Sequence, residues 1–190
     1  MRTAGPDASS GPAHADAAAS AWVIRFAGLI APGGRVLDVA CGRGRHARHL
    51  ARLGHPVLAL DRDRDALDSL SDEQGVEILC ADIEGGPWPL EPATFDAVVV
   101  TNYLHRPLFP HLIAALRPGG VLLYETFARG NELHGRPSNP AFLLAPGELL
   151  QFVAPRLTVV AFEQGTVSAP KPAVIQRVCA IGGETLGYKI

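Results

Sequence analysis

No block of lysine or arginine occurs in these 190 residues, and the formal net charge is −2. A dedicated binder of long DNA or RNA is usually basic, so nucleic acid is not expected as a partner. No apolar run is long enough to span a bilayer, and the N-terminus lacks the apolar core of a signal peptide. Cysteine is scarce: Cys41, Cys80 and Cys179 stand far apart, with no CxxC. That argues for reduced thiols in a cytoplasmic compartment rather than a disulfide framework. His46 and His49 lie about one helical turn apart, but no third ligand follows at helical spacing, so no metal site is expected and both read as helix-surface residues. Internal repeats are also missing.

What is present is enough for one core. Apolar residues make up 47% of the chain, typical of a globular domain. Residues 1–15, rich in Ala, Ser, Gly and Pro, read as disordered, and 16–190 as a single domain. The organising stretch is Val36 to Arg45. Val36, Leu37 and Val39 suit a buried strand. Cys41-Gly42-Arg43-Gly44 then allows a tight turn and close backbone approach to a ligand. Arg45 to Leu53 follows as a helix, with His46, His49 or Leu50, and Leu53 on one face. Such a strand, turn and helix present backbone N–H groups beside the carboxyl edge of a sheet.

Two ligand types use this unit. Gly42-x-Gly44-x-x-Ala47, with Asp61 about twenty residues on, satisfies a dinucleotide fingerprint. Asp38, directly before the turn, argues the other way. It would repel a pyrophosphate and attract a cationic ammonium or sulfonium. At about 4 Å such an interaction is on the order of 4 kcal/mol at an effective dielectric near 20.

Residues 36–44, Val-Leu-Asp-Val-Ala-Cys-Gly-Arg-Gly, resemble the first motif of class I S-adenosylmethionine-dependent methyltransferases, and later stretches follow the family in order over roughly residues 20–182. The departure is Ala40, where many members carry glycine; a residue that resists positive φ there alters the expected turn. The resemblance implies an α/β, Rossmann-like, doubly wound, seven-stranded, mostly parallel sheet with an antiparallel last strand. It implies S-adenosylmethionine as cofactor, held by Asp38, Ala40, Cys41, Gly42, Gly44, Asp61, Arg62, Asp82, Ile83, Thr101 and Asn102. In the family, a carboxylate at the end of the second strand accepts both ribose hydroxyls. An acid after the third strand accepts from the adenine amino group.

The chain supplies those positions. Pro56 to Asp61 reads as the second strand, with Asp63 the better cap of the following helix, which leaves Asp61 for a ligand. Val76 to Ala81 is the third strand, ending in Asp82-Ile83. Phe95 to Val100, nearly all apolar, is a central fourth. It runs into Thr101-Asn102-Tyr103-Leu104-His105-Arg106-Pro107, which lacks the Asn/Asp-Pro-Pro-aromatic motif of nucleic-acid amino methyltransferases. Pro107 starts a helix with a stripe of Phe109, Leu112, Ile113 and Leu116. Arg117-Pro118-Gly119-Gly120 stops it, and Val121 to Phe127 is the fifth strand. Ala128 to Pro146 is a long functional connection. Gly147 to Phe152 is a short helix, and Leu157 to Phe162 and Ala173 to Ile181 close the sheet. Ala17 to Ile30 reads as a leading helix whose Trp22 belongs either to a lid or to the core.

Methyl transfer from a sulfonium needs orientation and exclusion of water more than a metal. A base is needed only for acceptors that must lose a proton. His105 and His134 are the candidate bases, with Tyr103 beside them as a candidate catalytic or positioning group. Tyr124 reads as a wall group, and Arg106, Arg129 and Arg136 as an arginine set suited to an anionic small-molecule acceptor. Overall compactness is similar to the tellurite-resistance and thiol type. A nicotinamide-dependent reductase and a non-catalytic adenosyl-binding module remain open.

Overall fold

The computed structural model describes residues 18–183. The segment expected to be disordered, 1–15, lies outside the described residues. Helix α1, Ala21–Phe26, starts where the Ser20 hydroxyl accepts from the Trp22 amide, as a helix cap should. It tightens into a 3₁₀ turn at Ala27–Leu29, so it is shorter than the expected Ala17–Ile30.

Strand β1, Val36–Val39, is buried along its whole length. Glycine turn, α2 (Arg45–Arg52) and β2 (Val57–Asp61) follow. Asp63 caps α3, Arg64–Asp68, by accepting from the Ala66 amide. Strands β3 (Val76–Cys80) and β4 (Phe95–Thr101) complete the first half. A 3₁₀ turn, Arg106–Leu108, leads into α4, Phe109–Ala115. Helix α4 ends at Ala115, before Arg117 to Gly120 as expected, but strand β5 runs Leu116–Phe127 and so starts earlier than the expected Val121. Exposed Arg117, Pro118 and Gly119 and buried Gly120 form its irregular start, where the register with β4 shifts between Phe95 and Ala97. Helix α5 (Glu148–Val153) and strands β6 (Leu157–Val167) and β7 (Ala173–Gly182) end the described chain.

The seven strands order as β3-β2-β1-β4-β5-β7-β6. All pairs from β3 to β5 are parallel, and β7 lies antiparallel between β5 and β6. Side chains alternate across the sheet, so each strand feeds two cores. Leu37, Leu58, Val98, Val100, Leu122 and Tyr124 meet α4 and α5 on one face. Val36, Ala59, Val99 and Leu123 meet Trp22, Phe26, Ala47, Leu50 and Leu67 on the other. The chain leaves β1 toward β2 and returns to β4 on β1's other side. That topological switch leaves a crevice at the carboxyl ends of the strands.

Candidate functional site

A cavity of about 220 Å³ opens in that crevice, lined by Ala40, Asp61, Arg62, Ala81, Asp82, Ile83, Glu84 and Tyr103. These residues lie at or just after the ends of β1, β2, β3 and β4. Six of the eight were expected; Ala81 and Glu84 were not. The signal for Glu84 was its place beside Asp82-Ile83, at the same strand end.

The turn at its foot is built by backbone conformation. Ala40 adopts φ +52°, so the positive φ that its side chain resists is imposed by the surrounding turn. Gly42 has φ +55° and nothing within 4 Å of where a Cβ would stand. That open space is what a closely approaching ligand needs. Gly44 is glycine for another reason: a Cβ would stand 2.4 Å from Leu70 Cδ1. Cys41 is buried, and its thiol is pushed up from its ordinary range by burial, then by Asp38 and Asp61, so it is no nucleophile.

Asp38 is buried beneath the turn. One carboxylate oxygen accepts from the Ala47 amide at 3.0 Å; the other, Oδ1, has no partner. Burial pushes its carboxyl up to about 7, against the lowering effects of the Ala47 amide and Arg45. Asp61 is partly engaged. Oδ2 accepts from the Gly42 amide at 2.7 Å and Oδ1 from the Asp63 amide at 2.9 Å, which fixes the carboxylate across the glycine turn. An ionised carboxylate still has lone pairs for a ligand after two such bonds. Exposed Asp82 accepts from the amides of Glu84 and Gly85. Those bonds, Gly85 first, hold its carboxyl below the usual carboxylate range.

The rest of the expected site divides. Thr101 and Asn102 do not line the cavity. Thr101 is tied to His46, and Asn102 turns with φ +55° as its amide donates to Glu125. His46 is not a helix-surface residue. It is 2% exposed, its Nε2 accepts from the Ser20 amide, and its Nδ1 therefore carries the hydrogen facing Thr101 Oγ1. Burial, then Arg45 and His49, pushes its pKa down to about 3. Position in the first turn of α2, facing the sheet edge, was the signal for this. Leu53, expected on the inner face, is 52% exposed. Among the described residues no cluster of His, Cys, Asp and Glu is arranged to hold a metal ion.

Tyr124 is no wall group. Its ring is fully buried on Phe109, and its hydroxyl donates to the Tyr103 carbonyl at 2.9 Å. Arg106 is no anion fork either. Its guanidinium grips Glu148 through Nε and Nη2, and donates to the carbonyls of Ala141 and Leu143, leaving it spent on the long loop. Arg129, His134 and Arg136 stand exposed in that loop and do not line the cavity. His105 is half-buried and close enough to Asp82 for its charge to be felt there.

A mostly parallel seven-stranded sheet in this order, with a glycine turn after β1 and acids after β2 and β3, has the architecture of class I S-adenosylmethionine-dependent methyltransferases. Residues 36–120 match the family model described as a methyltransferase domain. The chain is similar to the "Ubiquinone biosynthesis O-methyltransferase" of Xanthomonas campestris pv. campestris (strain B100), 35% identical over 115 residues, covering 52% of this chain and 45% of that protein. It is also similar to the "tRNA U34 carboxymethyltransferase" of Methylococcus capsulatus, 36% identical over 116 residues, covering 54% and 35%. The chain thus spans less than half the length of these curated relatives. Among solved structures, TehB from Haemophilus influenzae superposes with a TM-score of 0.72 at 19% identity, covering 85% of this chain and 61% of that one. At that identity the likeness is one of fold.

Proposed function

We propose that the protein is an S-adenosylmethionine-dependent methyltransferase acting on a small-molecule acceptor. The observation that carries this is the sign of charge around the cavity, where Asp61, Asp82 and Glu84 face a single cation, Arg62. A pyrophosphate would meet repulsion there. An adenosyl group offers hydroxyl and amino donors, and its amino-acid end carries an ammonium, all of which carboxylates accept. The unpartnered Asp38 oxygen under the turn and the open space at Gly42 fit the same group.

In this reading Asp61 holds the ribose, Asp82 and Ile83 the base, and Asp38 with the turn at 40–44 the amino-acid end. When bound, the sulfonium supplies an activated methyl group for in-line displacement. The chain's task is to hold, orient and exclude water. In the same reading His105, four residues past β4 and outside the cavity wall but near enough to Asp82 for its charge to reach it, would take a proton from an alcohol or thiol acceptor. With Arg106 committed to Glu148, the cations left for an anionic acceptor are Arg129 and Arg136, which stand in the exposed loop outside the cavity wall. The ubiquinone-biosynthesis relative supports a small acceptor. The tRNA relative supports a nucleic-acid acceptor as the second reading, which the net charge of −2 disfavours. No helix among the described residues is long and apolar enough to cross a membrane, and three free cysteines suit a reducing, cytoplasmic compartment.

Calorimetry with S-adenosylhomocysteine and with NAD tests the cofactor; binding of the second and not the first would overturn the reading. Labelled S-adenosylmethionine offered with a metabolite fraction and with total tRNA tests the acceptor. Label is expected in the first only; label in neither, with the cofactor bound, leaves an adenosyl-binding module.

A further inference from the structure

The amino-acid end of an adenosyl ligand carries two charges. Asp38 answers the ammonium; the carboxylate still needs a cation. Arg62, the one cation of the cavity wall, stands at the other end. Its charge is felt at Asp82 and Tyr103, on the side read as holding the base.

Arg45 is placed differently. It opens α2 directly after Gly44, in a first turn that holds no acid. The positive end of a helix disfavours a cation there, so local electrostatics do not explain the residue. Nor does pairing: among the described residues Arg45 takes part in no ion pair. Three residues on, Arg48 is spent on Glu73 and on the carbonyls of Arg43 and Ser69. Arg45 is nonetheless half-buried rather than extended into solvent.

Its neighbours show where its charge acts. Asp38 lies beneath the turn, 1% exposed, with one oxygen on the Ala47 amide and the other unpaired. Burial, the largest influence, pushes that carboxyl up, and Arg45 works against it. Buried His46 feels Arg45 as well, after burial itself, and is held neutral. A carboxylate and a guanidinium thus stand within each other's field at the foot of the glycine turn without pairing. The ammonium and carboxylate of an α-amino acid are one carbon apart, so a zwitterion set there meets both signs.

We propose that Arg45 is a specificity-determining residue of the site, whose guanidinium donates to the carboxylate at the amino-acid end of the adenosyl ligand. This rests on the reading of the cavity given above. The planar fork of arginine matches a carboxylate. A site that keeps a cation for that group discriminates against adenosyl ligands lacking it.

S-adenosylhomocysteine and its carboxamide differ only in that carboxylate, and calorimetry with both is the test. The parent should prefer the acid by about 10-fold or more. Arg45→Gln should lose the preference by weakening the acid alone. Arg45→Lys should keep part of it, since a point charge remains without the fork. A purely structural role would weaken both ligands alike. An unchanged preference in Arg45→Gln therefore overturns the proposal, whether the two ligands bind as in the parent or equally worse. So does a parent that shows no preference. A parent that binds neither ligand overturns the reading of the cavity itself, a separate result.

Discussion

Asp38 shows how much one carboxylate can report. The folded, ligand-free chain holds its proton up to about pH 7, whereas an exposed aspartate loses it near 4. Between those values the native state binds more protons than the unfolded one, so this residue makes stability fall as pH rises across the window. An ammonium brought next to Oδ1 favours the ionised form. Binding of S-adenosylhomocysteine should therefore release a proton below pH 7, and its affinity should climb from pH 5.5 to 7.5. Calorimetry in buffers of different ionisation heat reads that proton directly. Asp38→Asn should flatten the profile; an unchanged slope would take Asp38 out of the ligand's reach. Gly42 makes a second residue-scale test. Gly42→Val puts a branched side chain at φ +55° into the open space, and should weaken binding well beyond its effect on the fold.

At the scale of elements, the Arg106–Glu148 grip joins the end of β4 to the start of α5. It also holds the carbonyls of Ala141 and Leu143, while Glu148 accepts from the Ala145 amide. The pair is partly exposed, so its strength lies in geometry: a two-point fork plus carbonyl contacts on one guanidinium. Arg106 holds the Glu148 carboxyl below the usual range. Its stabilisation is thus present at neutral pH and is lost only as pH falls through that lowered value. Glu148→Ala should free the loop over 128–146 and cost about 1–3 kcal/mol. Trypsin should then cut faster after Arg129, with Glu148→Gln between the two. A cleavage pattern matching the parent's would show that the loop is held by its other contacts.

Over the whole molecule, the leading helix is fastened to the far side of the sheet. Trp22 is buried against Phe26, donates to the Val178 carbonyl at 3.1 Å and lies under Arg177. Arg177 also pairs with Glu125 and Glu163, and Ser20 donates to Glu125 at 2.7 Å. The Trp22–Val178 and Ser20–Glu125 bonds each span more than one hundred residues, so one substitution should loosen the fold globally. Trp22→Ala should cost about 3–5 kcal/mol, lowering the unfolding midpoint by roughly 10 °C. S-adenosylhomocysteine at about a hundred times its dissociation constant should return about 2.7 kcal/mol of that. A midpoint that stays put would place Trp22 outside the cooperative core.

Much of this was written locally. Alternation of apolar runs with capped helices specifies the strands and their order in the chain, because burial on both faces favours the short apolar runs Val36-Leu37, Val57 to Leu60 and Ala97 to Val100. The turn at 40–44 and the acids Asp61 and Asp82 are legible as well, since each sits at a strand end where backbone and charge together define a ligand edge. The partners of long polar side chains were not legible. Arg106 reads as free until α5, far along the chain, brings Glu148 to it. Tyr124 reads as ligand-facing until the strand's pleat turns it inward onto Phe109, and His46 as surface until Ser20 and Thr101 close around it. Burial and pairing of such groups depend on which distant segment the fold delivers, and local spacing carries no record of that.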